Sequence, residues 1–380
     1  MGGMKEWLLY FSVFLYTRGR SRTRVNAAPK RILIVQMAKL GDMVCTTPMF
    51  RAVKAHYPDA SVTVLGNHIN REVLAGNQDV NGYIEWKGIR ETIRIVRREK
   101  FDFACITSPS APLLAVLFLA GIPAIGAPRL MNGRSPNDTP AYRMLTRLCF
   151  TRSHHMRQYA PREYLRLLEP IDIITDDTTK HLKYSETAEK RIESFLREKQ
   201  LRRNGRMLFG LAPSAGHKTK EWFPDRFAQV VTQLAQKYPI DVVLIGSVAD
   251  KKAAEAVRAH LPDSVHVIDT CGLFSIEEAK ALIASLDILL SVDTGPVYVA
   301  EAFAVPTIDI TGPIDENEQP PIGEMHLVVV PPSPREPQLF VLNARSYDKK
   351  EVERQLNSIT VPMVVEACST LLNKITRPHS

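Results

Sequence analysis

RILIVQMAKLGDMVCTTPMFRAVKAHYPDASVTVLG, residues 31–66, decides the fold. It opens with a run of apolar residues that does not alternate with polar ones, which is the pattern of a strand covered on both faces. The Gly41–Asp42 pair marks a turn, MVCTTPMFRAVKAHYP predicts one helix ending before Pro58, and ASVTVLG predicts a second strand. A strand, a helix and another strand in this order form a parallel crossover unit.

The same alternation continues outward from this stretch. VNGYIEW and FDFACIT are strand candidates, GIRETIRIVRREK between them is a basic amphipathic helix, and APLLAVLFL, apolar all round, is a buried helix. Residues 170–205 turn polar and charged, the composition of a connection and a solvated helix. A second series then runs through the strands MLFGLAPS, DVVLIGS, VHVIDT, DILLSV and PTIDITG, with helices between them. A chain of 380 residues exceeds what one core usually supports. The expected class is therefore α/β, two doubly wound Rossmann-like domains facing a central cleft. The expected boundaries are a leader at 1–29, a first domain at 30–175, a linker with a solvated helix at 176–205, a second domain at 206–330, and a linker with a terminal helix at 331–380, the helix near 349–374. Ligands in such sheets bind beyond the carboxyl ends of the strands, so the loops at 39–42, 213–220, 246–250 and 293–296 are the ones to inspect.

Five cysteines, at 45, 105, 149, 271 and 368, are widely spaced and form no CxxC pair, which argues against a disulfide framework and a zinc site and fits a reducing cytoplasm. The net charge of +8 is concentrated early: Arg18, Arg20, Arg22, Arg24, Lys30, Arg31 and Lys39 follow one another with no acid between Thr17 and Gly41. Just before them WLLYFSVFLY, residues 7–16, is too short to span a bilayer. A signal peptide places its charge ahead of the apolar run, and here the charge follows it. The leader is read as an interfacial anchor, with apolar side chains in the headgroup boundary and arginines on an anionic membrane surface. The competing reading is a leader that packs on the core or has no fixed structure.

Three constellations carry chemistry. In KLGDMVCTTP, Asp42 sits where a strand hands over to a helix, and is either an aspartate N-cap or a general base that takes a proton from an attacking hydroxyl. In APSAGHKTKEWFPDRF, Ser214, Ala215 and Gly216 let a ligand approach the backbone while Lys218 and Lys220 supply cations, which suits a nucleoside diphosphate; the plainer alternative is an exposed basic loop. Trp222 is expected to pack rather than stack on a ligand. In LLSVDTGPVYVAEAFAVPTIDITGP, residues 289–313, a helix starting at Pro296 points free N–H groups and its dipole at the same region, which attracts phosphate. Asp293 would accept from sugar hydroxyls or order the turn, and Thr294 can donate. The chain has no GxGxxG, Walker, GxSxG or HExxH motif. His154 and His155 lie in a basic context read as helical, without other metal ligands near them.

Together RILIVQMAKLGDMVCTTPMFRAVKAHYPDASVTVLG, KTKEWFPDRFAQVV and VDTGPVYVAEAFAVPTIDITGP resemble the motifs of glycosyltransferase family nine, the ADP-heptose:lipopolysaccharide heptosyltransferases. The similarity runs from about residue 30 to 315. It implies a GT-B fold, inversion at the anomeric carbon, no metal and no cofactor beyond the nucleotide-sugar donor, ADP-heptose. By resemblance Asp42 is the catalytic base, Lys220 lies on the donor phosphates, and Asp293, Thr294 and Gly295 hold the donor, with Ser214 and Gly216 beside them. Tyr298 stands where the family's pattern has a histidine, in the first helical turn facing the donor, and a phenol donates a hydrogen bond without being cationic near neutral pH. The cysteines of many relatives in the C-terminal linker are missing here. The implied partners are a nucleotide-sugar, a lipid-linked saccharide acceptor and an anionic membrane, and not nucleic acid. A nucleotide-sugar epimerase of similar form and a non-catalytic sugar-nucleotide or glycan-binding relative are the alternatives.

Overall fold

The structure, a computed structural model, describes residues 2–18 and 28–376. It divides into two compact units, Met1–Lys180 with Val341–Arg345, and His181–Phe340 with Ser346–Ser380.

The first unit starts with helix α1 (Gly2–Thr17) and continues through β1 (Arg31–Val35), α2 (Leu40–Val44), α3 (Thr47–His56), β2 (Ser61–Gly66), α4 (His68–Val73), β3 (Gly82–Glu85) and α5 (Ile89–Glu99). Then come β4 (Phe103–Ile106), α6 (Ala111–Ala120), β5 (Ala124–Leu130), α7 (Pro140–Leu145), β6 (Phe150–His154) and α8 (Ala160–Leu165). The strands form one parallel sheet in the order β3-β2-β1-β4-β5-β6. All four strand residues from Ile32 to Val35 are buried, as the unbroken apolar run requires. Helix α6 buries eight of its ten residues, starts with a Ser110 hydroxyl cap on Leu113 N, and ends at Gly121 in the left-handed region that glycine tolerates. Tyr10 and Val13 of α1 join this core.

The second unit runs α9 (Glu186–Glu198), β7 (Met207–Ala212), α10 (Pro224–Lys237), β8 (Ile240–Leu244), α11 (Lys251–Arg258), β9 (Val267–Asp269), α12 (Ile276–Ala284) and β10 (Ile288–Val292). It ends with α13 (Gly295–Ala302), β11 (Thr307–Ile310), β12 (His326–Val329), α14 (Lys349–Ser358) and α15 (Val361–Thr376). Its parallel sheet has the order β12-β11-β10-β7-β8-β9. Read from the other end, this is the order of the first sheet. In each unit the chain reverses direction across the sheet between its first and fourth strands, β1/β4 and β7/β10, and the crevice at such a switch point is where open α/β sheets bind ligands.

Three local expectations are corrected. The helix after β1 is two helices, because Pro48 at the start of α3 has no N–H to donate and its ring crowds the carbonyl of Val44, where α2 stops. The terminal helix is broken in the same way: Pro362 opens α15 and α14 ends four residues earlier at Ser358. His154 and His155 are not in a helix. His154 closes β6, an edge strand paired with β5, where it is buried and its imidazole is pushed down to about 4, first by burial, with the nearby Glu163 carboxylate opposing.

Candidate functional site

In the first unit, β1 runs into a loop that four polar side chains hold. The Gln36 amide accepts from Ala38 N at 3.0 Å and donates to Thr46 Oγ1 at 3.0 Å, while Asn67 and Asn70 each donate to the Ala38 carbonyl, at 3.0 and 2.9 Å. This fixes the entry to α2. Asp42 is not the N-cap of that helix. It is the third helical residue, and its Oδ2 accepts from Lys39 N at 3.2 Å while its backbone carbonyl accepts from Thr46 Oγ1 at 2.7 Å. The carboxylate is half-buried at the carboxyl end of β1, on the β1/β4 switch point. Gln36, Asn67 and Asn70 were not singled out from the sequence. The usable signal was an amide residue directly after each of two buried strands, QM after RILIV and NHIN after SVTVLG.

In the second unit, β7 ends at Ala212 and a loop carries residues 213–223 to α10. Trp222 anchors it: the indole is buried, packs edge-on against Phe227 and donates to the Ile359 carbonyl at 3.3 Å. Two residues earlier, Lys220 reaches across the switch point and donates to Asp293 Oδ2 at 2.7 Å. Asp293 follows β10, is 6% exposed, and accepts at its other oxygen from the hydroxyl of Tyr298. Lys220, Asp293 and Tyr298 are thus one hydrogen-bonded group. The repulsion an acid would exert on phosphate is offset here by the ammonium paired with it.

The remaining residues fall around this group. Thr294 is the N-cap of α13 and makes no side-chain cap bond, and Gly295 and Pro296 open the helix. Lys218 pairs with Glu221 at 2.9 Å. Ser214 is buried, and together with Ser247 it holds the Asp250 carboxyl below its usual range against the burial that would raise it. Gly216 is exposed in the turn. Tyr298, expected to face the donor, is 3% exposed with its hydroxyl on Asp293. Replacing it by phenylalanine removes one bond to a charged acceptor. Tyr298→Phe should therefore lower unfolding free energy by about 1.5–3 kcal/mol in urea titrations, and unchanged stability would show that the phenol does not hold Asp293.

A family model described as "Glycosyltransferase family 9 (heptosyltransferase)" matches residues 142–341, more than half of the 380-residue chain. The chain belongs to glycosyltransferase family 9. It is by that membership an inverting, metal-independent glycosyltransferase. Lipooligosaccharide heptosyltransferase 2 of Haemophilus influenzae is 24% identical over 367 residues, covering 90% of this chain and 99% of the relative. Among solved structures, the family 9 glycosyltransferase of Veillonella parvula superposes with a TM-score of 0.72 at 20% identity, covering 91% of this chain and 98% of that one. The ADP-heptose lps heptosyltransferase II of E. coli gives 0.70 at 22%, covering 90% and 99%. These likenesses show the fold, which is of the GT-B type. The family model and the heptosyltransferase relatives support glycosyltransferase activity, as against an epimerase or a non-catalytic binder.

Proposed function

We propose that this family 9 enzyme transfers a heptose from ADP-heptose to a saccharide of the lipopolysaccharide core or another lipid-linked envelope saccharide, with no cofactor besides the donor. The observation that carries the reading is the meeting of Lys220 and the N-terminus of α13 at Asp293, on the β7/β10 switch point. There an ammonium and the positive end of a helix dipole are set for a diphosphate. Thr294, whose hydroxyl makes no cap bond, and the N–H of Gly295 are donors for the phosphates or the sugar. The names of the relatives, a lipooligosaccharide and an ADP-heptose heptosyltransferase, support this donor and acceptor.

In this reading the acceptor hydroxyl attacks the anomeric carbon from the face opposite the nucleotide, and Asp42 takes its proton. The bond from the anomeric carbon to the diphosphate oxygen breaks, and the leaving diphosphate is stabilised by Lys220 and the α13 terminus. Incubating the purified protein with ADP-heptose and core saccharides of stepwise length should give one product heavier by one heptose residue. Absence of transfer to every acceptor, with ADP binding retained, would sink the acceptor assignment.

We also propose that the enzyme docks on an anionic membrane surface through its leader. Among the described residues no helix is long and apolar enough to cross a membrane. Leu15 and Tyr16 of α1 are exposed, at 44% and 60%, and Arg18 follows them; Arg20, Arg22 and Arg24 lie outside the described residues. Because Tyr10 and Val13 are in the core, deleting the leader would also damage the fold. Leu15→Ser with Tyr16→Ser is the cleaner test. It should weaken binding to vesicles of anionic lipid by at least about tenfold, given the transfer energy of two large apolar side chains. The residual binding should fall with salt. Equal sedimentation of the variant and the parent would refute the leader as the docking element.

A further inference from the structure

The stretch PRLMNGRSPNDTPAYRMLTRLCFTR, residues 128–152, holds five arginines and one acid. It folds as the end of β5, a loop, α7, a single 3-10 turn (Thr146–Leu148) and the start of β6, the edge strand. Tyr142 pins α7 to the sheet: its ring is buried and its hydroxyl donates to the Pro128 carbonyl at 2.5 Å. Asn132 pins the loop, since its amide donates to the Met156 carbonyl at 3.1 Å and accepts from Met156 N at 2.8 Å. Between these fixed points lies a cavity of about 560 Å³, whose lining includes Arg129, Asp138, Arg143, Arg147 and Thr151. Arg129 and Thr151 reach it from one face of the sheet, because Thr151 pairs with Ala127 and side chains two apart on a strand share a side.

The charges in this cavity do not cancel. Arg143 donates twice to Asp138 Oδ2, at 2.8 and 3.1 Å. Arg129 and Arg147 are exposed, and among the described residues neither guanidinium has a hydrogen-bond or ion-pair partner. The Thr151 hydroxyl is likewise unpartnered among them. Three cations and one anion leave two positive charges in one concavity, with N–H forks suited to phosphate oxygens. A phosphate monoester carries about −1.5 to −2 near neutral pH, whereas a diester carries about −1. The monoester matches the cavity. Its position in the fold indicates the source: α7 packs against α1, the helix that carries the exposed Leu15 and Tyr16, and α1, α5 and α7 all pack on α6. On α5, Arg90 and Arg94 are exposed and also without partners among the described residues.

We propose that this cavity is a headgroup site, taking the phosphate monoester of an anionic membrane lipid while α1 enters the bilayer beside it. The proposal rests on the membrane-docking reading above and adds to it a site of defined chemistry. Leader and cavity engage the same bilayer, so either contact raises the effective concentration of the other. The arginines of α5 add an attraction that depends on surface charge and not on the kind of headgroup.

Sedimentation of the full chain with phosphatidylcholine vesicles tests this, the vesicles containing either phosphatidic acid or phosphatidylglycerol and adjusted to equal surface potential. The parent should bind the phosphatidic acid vesicles at least about tenfold more tightly, the low end for hydrogen bonds to a charged group. Arg129→Gln with Arg147→Gln should erase that preference. Arg90→Gln with Arg94→Gln removes the same charge from α5, and should weaken binding to both kinds of vesicle while keeping the preference. All four arginines are exposed, so both double variants should melt with the parent. A parent without the preference, or an Arg129/Arg147 variant that retains it, would overturn the site. Equal loss of preference in the two double variants would overturn it too, because diffuse charge would then explain the binding. If inorganic phosphate abolishes the preference at concentrations too low to screen charge, free phosphate and not lipid is the ligand, and the headgroup assignment is overturned. If the parent sediments with neither kind of vesicle, the membrane-docking reading itself fails and the proposal falls with it.

Discussion

Asp42→Asn is expected to lower kcat by a factor of about 10² to 10⁴, the usual cost of losing a positioned general base, while donor KM and melting temperature stay close to those of the parent. The structure explains why the two effects separate. The side chain accepts from Lys39 N at Oδ2, and the carbonyl oxygen of asparagine can accept the same bond. The bonds that close the α2 turn, from Thr46 and Gln36, go to the backbone carbonyl, which the substitution leaves in place. What asparagine cannot do is take up the proton of an acceptor hydroxyl. Near-normal turnover would remove Asp42 from the chemistry. A collapsed melting temperature would show that holding the turn is its main role.

Lys220→Ala should raise donor KM by about 10- to 150-fold, the equivalent of the 1.5–3 kcal/mol typical of a hydrogen bond to a charged group, with a smaller change in kcat. In the proposed mechanism the ammonium faces the phosphates before and during transfer, and uniform binding of that kind is read in KM. The same substitution strands Asp293, which is 6% exposed, with Tyr298 as its remaining side-chain donor. Stability should therefore drop by about 1–3 kcal/mol, less than for a fully buried pair because Lys220 is itself 23% exposed. Lys220→Ala combined with Asp293→Asn removes the stranded charge. The pair should regain most of the stability and none of the donor affinity. Recovery of affinity in the double variant would mean that Lys220 serves only to neutralise Asp293.

The architecture was legible because its deciding residues act locally. RILIV and DILLSV are short, β-branched-rich and mostly apolar without alternation, the pattern of a strand covered on both faces, and the turn residues after them mark the carboxyl ends where sites form. The misread helices had visible causes in Pro48 and Pro362, whose effect is felt four residues upstream, so the break appears away from the proline itself. The polar strand FTRSH was harder: an edge strand is covered on fewer sides, so its apolar signal is weak. In the candidate site, Asp42 and Asp293 were named from residue type and position, Lys220 only together with Lys218, and the family resemblance chose between the two lysines. The sequence did not reveal that Lys220 and Asp293 pair, since they lie 73 residues apart and meet only once β7 and β10 are neighbours.

The strand order described for both sheets has a consequence for synthesis on the ribosome. In each unit the first strand made, β1 or β7, is an interior strand of the finished sheet. β1 can pair with β2 as soon as residue 66 has emerged, but its other side stays open until β4 arrives at Phe103–Ile106. β7 waits in the same way for Ile288–Val292 of β10, with three further helices made in between. During these intervals the nascent chain presents an apolar strand with unpaired N–H and C=O groups, a template for pairing with another nascent chain. Slow translation between β1 and β4, or loss of a chaperone that shields this strand, should therefore send the enzyme into aggregates even though the finished sheets expose neither strand.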